Sequence, residues 1–477
     1  MPIAKTRFTP RAGGLCALAI VAAAGSTALA QDDPSSDPIA GVDTDLPFFI
    51  LGPRNLPGKP PTPALPKDAE KPAAAPKADE RDWFSGKPWW DWSRATGDWG
   101  GLRTGLEDFG LSFAGSYTMD WSAPWSGGVN RRGNYHHLWD FSATLDTNKA
   151  FKLEGGTFFI DFQSTAGTSS AENVGDFQFT SNIETVGVGG HIDQISEVWY
   201  QQELFNKAVR IKVGKIDALS DFATVDGVAD ILHGATAPAL LFPVAPTFPN
   251  PAFGAEIFFN PTEHTYLGFG FFDGSGLDNV STGGRGPADL FRGSEFLYLV
   301  ETGCTWDNLA DLGKGRIRLG GYYHSARVTD FDGNPQRGQG GFFGVFEQQL
   351  TKRALPNDAP KDATPDTTHG LFAYVHGGIG DEDVNPVAAS CAAGFCIRGT
   401  FPGRDSDVAG VHYSWIDLSN RPGAGFATDE HALELYYKIA ITPFIAVTPD
   451  IQFIFNPSGS RTINDAVVGG LRVQITF

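Results

Sequence analysis

The stretch GGLRVQITF, residues 469–477, carries the pattern from which the fold is read. Taken every second residue, Leu471, Val473, Ile475 and Phe477 fall on one side, and Arg472, Gln474 and Thr476 on the other. Strict alternation marks a strand with one apolar and one polar face. In a soluble protein the apolar face turns inward to a core. In a membrane barrel the apolar face meets lipid and the polar face lines a wet lumen. This stretch permits both, so the rest of the chain has to discriminate.

The period of two begins at Leu111 and scarcely stops. FAGSYTMDW, HHLWDFSATLD, GGTFFIDFQST, EVWYQQEL, VRIKVGKID, AEIFFNP, TYLGFGFFDG, EFLYLVE, GRIRLGGYYHS, GFFGVFEQQL, LFAYVHGGIG, AGVHYSWIDL, ALELYYKIAIT, IQFIFNP and LRVQITF are strand candidates. They are short, aromatic and β-branched, with Gly, Asn, Asp and Pro between them. No strand–helix alternation appears, which argues against an α/β enzyme. Val209, Ile211 and Val213 oppose Arg210 and Lys212; Ile317 and Leu319 oppose Arg316, Arg318 and His324. Leu433, Leu435 and Tyr437 oppose Glu434, Tyr436 and Lys438; Phe158, Ile160 and Phe162 oppose Asp161 and Gln163. Aromatic residues cluster at strand ends, as in FIFNP, EIFFNP and FGFFDG, where the interface girdles of a membrane barrel need rings. An aromatic share of 12% suffices for two such girdles. The fold expected is all-β: a transmembrane antiparallel barrel over residues 111–477, with short turns at one end and long loops at the other.

The N-terminal region supports export. Lys5, Arg7 and Arg11 precede a short apolar run, Leu15 to Ala24, and Ala28-Leu29-Ala30 supplies a cleavage site, so residues 1–30 read as a signal peptide. Cys16 has no small residue directly before it, which disfavours a lipoprotein site. The signal holds three of the 36 basic residues and none of the 55 acidic ones, leaving 33 against 55 and a net charge of −22. That balance disfavours nucleic acid as a partner, since a phosphate backbone demands clustered Lys and Arg. Residues 31–82 read as a Pro-, Ala- and Lys-rich flexible linker. Residues 83–110 are Trp-rich, with GLRTGLEDFG expected to make short helical turns closed by Gly110. The most apolar mature stretch, ATAPALLFPVAPTF from Ala235, is broken by three prolines and cannot make a membrane-spanning helix.

Three cysteines follow the signal. CAAGFC, with Cys391 and Cys396, reads as a small loop closed by a disulfide, and Cys304 has no evident partner. A metal site there lacks a second Cys or His pair. DFDGN, Asp330 to Asn334, misses the Glu a calcium loop requires and reads as a turn. His136-His137 lack a third ligand. No metal and no cofactor is expected.

Three longer stretches resemble the OprB-type carbohydrate-selective porins. ATGDWGGLRTGLEDFGLSF (Ala95 to Phe113) is similar to the family's N-terminal box, helix and first strand. ISEVWYQQELFNKAVRIKVGKIDA (Ile195 to Ala218) is similar to its central Trp-Tyr and Val-Gly-Lys strands. The block from Ala432 to Phe477 is similar to its closing strands. The resemblance implies sixteen strands, a short N-terminal periplasmic helix, passive diffusion of sugars, an outer-membrane location, and a monomer in preference to a trimer. It also implies that Phe477 forms part of the signal read by the barrel-assembly machinery. The Pro/Ala/Lys linker and CAAGFC have no counterpart in the family pattern.

A porin selects by pore width, hydrogen-bonding groups and charge rings. The lining is expected to include Asp161, Arg210, Lys212, Arg316, Arg318, Glu434, Lys438 and Arg472, with Tyr322 and Tyr436 as stacking platforms for sugar rings. These charges serve equally as salt bridges bracing the wall. The DWGGLR box reads as a plug or anchor in preference to sugar contacts by Asp98 and Arg103. Which loop narrows the pore is not legible. Glucose-like monosaccharides are the expected cargo; a general diffusion porin and a secreted β-sandwich sugar-binding protein are the alternatives. The chain is expected not to be an enzyme: neither G-x-S-x-G nor H-E-x-x-H occurs.

Overall fold

The alternating segments fold into a closed barrel of sixteen antiparallel strands, each bonded to its neighbours in sequence. The computed structural model describes residues 86–185, 190–274, 295–310, 312–352 and 368–477. The expected signal peptide, the linker and Trp83 lie outside the described residues. The strands are β1 (Leu111–Gly128), β2 (Asn134–Asp146), β3 (Gly156–Gly167), β4 (Ile192–Leu204), β5 (Val209–Ile216), β6 (Ala252–Thr262), β7 (Thr265–Asp273) and β8 (Phe296–Trp306). They continue as β9 (Gly315–Thr329), β10 (Pro335–Gln349), β11 (Gly370–Gly380), β12 (Val387–Arg398), β13 (Val408–Leu418), β14 (Glu430–Thr442), β15 (Ile445–Phe455) and β16 (Asn464–Thr476).

Closure is made by β16 on β1, with Tyr117 opposite Ile475, Met119 opposite Val473 and Asp120 opposite Arg472. A sheet closed in this way leaves no unpaired edge, which is the condition for crossing hydrocarbon with strands.

Burial settles which way the alternation faces. On β5, Val213 is 53% exposed while Arg210 and Lys212 are 7% and 5% exposed. On β3, Phe158, Ile160 and Phe162 are exposed, whereas Asp161 and Gln163 are buried. The apolar face therefore points outward around the barrel and the charged face inward, the inverse of a soluble protein. Rings gather on the outside near the closure, where Trp139 and Phe141 stack on Phe477 with centroids 5.8 and 6.0 Å apart.

Helix α1 (Leu102–Phe109) ends on Gly110, whose φ of 110° completes the expected cap. Two very short connections, 263–264 and 443–444, lie at the end of the barrel that carries this helix. The division into short turns and long loops is incomplete, because twenty residues of sequence separate the end of β10 from the start of β11 at that same end. At the other end residues 168–185 and 217–251 turn into the lumen.

CAAGFC requires a correction. It is the middle of β12 and not a loop, and both Cys391 and Cys396 are thiols. Five residues of extended strand separate them by about 16 Å, well beyond the reach of a disulfide. Their odd spacing also sends the two side chains to opposite faces. Small side chains hid the strand: Ala, Ser, Cys and Gly give no contrast between faces.

Candidate functional site

The inward connection 217–251 crosses the whole lumen. It leaves β5 at Asp217, whose carboxylate caps a short turn by accepting from Leu219 N. Asp221 then accepts from Arg210 at 2.7 Å and from Lys212, so one loop carboxylate bridges two wall cations. Glu256 stands 3.8 Å from Lys212 on its other side. Beyond this anchor the backbone meets one wall carboxylate after another. Ala223 N donates to Glu301 of β8 at 2.6 Å, and Gly227 N to Glu347 of β10 at 2.8 Å. Leu232 N donates to Glu434 of β14 at 2.7 Å, and His233 N to the same group at 3.3 Å. Buried backbone N–H groups need such acceptors. An acidic ring on the wall therefore gives the loop a fixed course.

The apolar stretch 235–248 packs inside the barrel. Leu240, Leu241, Phe242 and Val244 form a cluster with Phe272, Leu299, Phe343 and Ile416 of the wall. Gly341 and Gly378 make room for Leu240: a Cβ at either would lie 3.0 or 2.7 Å from its methyl carbons. Its three prolines remove N–H donors that a buried irregular segment would have to satisfy.

The second inward segment, residues 168–185, lies against β13 to β16 and β1. Gln178 donates to Glu430 at 3.1 Å and accepts from Ser414; Gln452 donates to Thr180 O at 2.9 Å. Ser181 donates to Asp120 at 2.7 Å. The two connections meet at Asn182, which donates from its backbone to Leu232 O at 2.7 Å and from its side chain to Ile231 O at 3.0 Å.

All ten expected lining residues are on the inward face, but the structure separates them into groups. Arg210, Lys212, Glu434 and Arg472 are buried as tethers for the inward connections. Asp161 accepts from Ser196 and borders a small chamber with Asp140, Gln163 and Glu197. Tyr322 and Tyr436 are 6% and 5% exposed, because the crossing loop covers both. Their expected stacking role is thereby corrected: neither ring offers a face to a passing solute.

Arg316, Arg318 and Lys438 keep 12–27% of their side chains open. Arg316 pairs with Asp226 at 2.8 Å and with Glu347, Arg318 with Glu301 at 3.5 Å, and Lys438 with Asp230 at 2.7 Å. Arg398 joins them, donating to Asp226 O at 3.3 Å and lying over the half-buried Phe372 ring at 5.0 Å. The result is an open strip with cations from β9, β12 and β14 facing loop carboxylates. Sequence reasoning missed Asp221, Asp226, Asp230 and Arg398. The three acids lie at irregular spacing in a segment without period, and Arg398 stands at the end of the unrecognised strand.

The remaining motifs are structural. DFDGN is the β9–β10 turn: Asp330 accepts from Asn334 N at 2.7 Å and Asp332 N at 3.0 Å, contacts that hold its carboxyl below the usual range. His136 points inward and His137 outward against Tyr135 and Tyr117. Among the described residues no group of three His, Cys, Asp or Glu is placed to hold a metal ion.

The model of the family described as carbohydrate-selective porin, OprB family, matches residues 130–477. Porin B of Pseudomonas aeruginosa is 23% identical over 428 residues, which cover 80% of this chain and 90% of that protein. The putative porin QuiX of Acinetobacter baylyi is 22% identical over 417 residues, 80% of this chain and 92% of that protein. Among solved structures, the high-pH form of Pseudomonas putida OprB superposes with a TM-score of 0.72 at 22% identity, covering 81% of this chain and 99% of that one. Its low-pH form gives 0.55 at 19% identity, with the same coverage. These superpositions bear on the fold.

Proposed function

This chain belongs to the OprB family of carbohydrate-selective porins, and on that premise we propose that it passes glucose-like monosaccharides by passive diffusion across the outer membrane into the periplasm. The family and the inverted barrel both imply that membrane. The observation that carries the finer reading is the strip left open beside the crossing loop, where Arg316, Arg318, Arg398 and Lys438 face Asp226 and Asp230. A sugar is neutral and dense in hydroxyls. It can exchange hydrogen bonds with water for bonds to this mixed-charge strip, donating to the carboxylates and accepting from the cations. The half-buried Phe372 ring lies beneath Arg398 and holds that guanidinium at the edge of the strip.

An ion gains less from the same strip, because Arg316, Arg318 and Lys438 each already have a carboxylate partner. Passage requires every contact to be weak enough to break quickly. No cofactor enters this reading, and the relatives named above are channels. The same reading takes the single barrel as the conducting unit, the first thirty residues as a cleaved signal, and Phe477 as an element recognised by the assembly machinery.

Liposome swelling with detergent-purified protein tests it, comparing glucose, larger sugars and an amino acid of similar size. Swelling that favours sugars and falls with sugar size is expected. Equal swelling with all small solutes would instead make the barrel a general diffusion pore.

A further inference from the structure

The transport reading leaves the TGDWGGLR box, Thr96 to Arg103, without a task. Its backbone is unusual: Trp99, Gly100 and Gly101 have φ values of 52°, 70° and 93°. Left-handed conformations are cheap for glycine, so the Gly-Gly pair permits the turn that leads into α1. Asp98 holds the turn closed by accepting from Thr104 N at 3.0 Å and from the Thr104 hydroxyl. This compact turn presents one side chain. Arg103 is 2% exposed, and its guanidinium lies 4.8 Å from the centroid of the Trp99 ring.

The destination of that guanidinium is specific. One terminal nitrogen donates to Phe113 O of β1 at 2.6 Å and to Phe477 O, immediately beyond β16, at 3.1 Å. The other reaches Gly97 O and the Thr96 hydroxyl, both at 3.4 Å. A single nitrogen thus spans the line along which the barrel closes. Two further contacts fasten the preceding segment to the same place: Ala95 N donates to Thr476 O at 2.9 Å, and Trp89 packs edge-on against Phe444 at 4.8 Å. The carbonyl oxygens at these strand ends thus accept hydrogen bonds from Arg103 and from the residue just before the box.

We propose that the TGDWGGLR box is a seam clasp, in which Arg103 is a positioning residue that binds β1 and the end of β16 together. Its two acceptors are adjacent only after β16 has paired with β1. The box therefore seats on a closed barrel and not on an open sheet, and once seated it opposes separation of the first and last strands. The inference stands apart from the transport reading, since it concerns closure and makes no use of the cargo.

A double-mutant cycle on the full chain in detergent tests it. Wild type, Arg103→Ala and Arg103→Lys are compared with and without a cross-link across the seam, made by Met119→Cys and Val473→Cys, which face each other in register. The readout is the temperature at which the compact gel band converts to the unfolded one. Arg103→Ala is expected to lower it by roughly 3–6 °C in the open-seam background, and to have no effect once the seam is cross-linked. Arg103→Lys, with a point charge in place of a fork, is expected to fall between the two. It also carries the test if the alanine variant does not assemble. An equal drop in both backgrounds would make Arg103 a local brace of its own helix. No drop in either would remove the clasp altogether.

Discussion

Arg472 of β16 and Asp120 of β1 face each other in register across the closure of the barrel, joined by two hydrogen bonds of 2.7 and 2.6 Å. The same guanidinium also reaches Asn182 Oδ1 at 2.7 Å and Ile231 O at 3.1 Å, one on each inward connection. Barrel closure and loop seating therefore share a single side chain.

Removing one member of this buried pair leaves the other charge without compensation. Asp120→Ala is expected to cost about 3–5 kcal/mol, read as a lower unfolding temperature in detergent. An unchanged unfolding temperature would mean that water already screens the pair.

Asn182 bonds both to Arg472 and to the backbone of the crossing loop. Asn182→Ala removes the two side-chain bonds while keeping the backbone bond to Leu232 O, and should loosen the contact between the two inward connections while the wall stays intact. Single-channel conductance is expected to rise by a factor of about two or more, a loss of less than 1 kcal/mol in barrier, and discrimination between glucose and larger sugars should fall. A variant with wild-type conductance and sieving would place the narrowest point elsewhere.

Asp221 pairs with both Arg210 and Lys212. Asp221→Asn keeps the shape and removes one negative charge from the lumen, so the channel should shift toward anions. The check is the reversal potential in a salt gradient. A shift toward cations would contradict the assignment of these groups to the lumen.

Cys391 and Cys396 sit on one strand and on opposite faces. Protein denatured without reductant and then alkylated should carry a label on each of Cys304, Cys391 and Cys396, as seen by mass spectrometry. A mass two hydrogens lighter, with Cys391 and Cys396 unlabelled, would restore the loop reading of CAAGFC.

What could be read in the sequence followed from contrast. Strands such as β3 and β5 alternate charge with large apolar groups, so their faces are evident without coordinates. β12 carries small residues on both faces and offered no contrast, and it passed for a disulfide loop. The loop that narrows the lumen was out of reach for a different reason. Its stretch 235–248 was legible as apolar and as non-helical, but its place inside the barrel depends on carboxylates from β8, β10 and β14 and on wall glycines far away in sequence. The charged candidates lie on the inward face. Which of them hold the loop and which stay open depends on Asp221, Asp226 and Asp230, and on the course of the backbone between them.

The central claim is that a strip of paired charges beside the crossing loop interacts weakly and selectively with sugars. The most direct test is single-channel current in a planar bilayer while glucose is added, with an amino acid of similar size as the comparison. The account predicts a saturable fall in ion current with glucose, a smaller one with a longer oligosaccharide, and none with the amino acid. A current that falls equally with every solute, or with none, would contradict it.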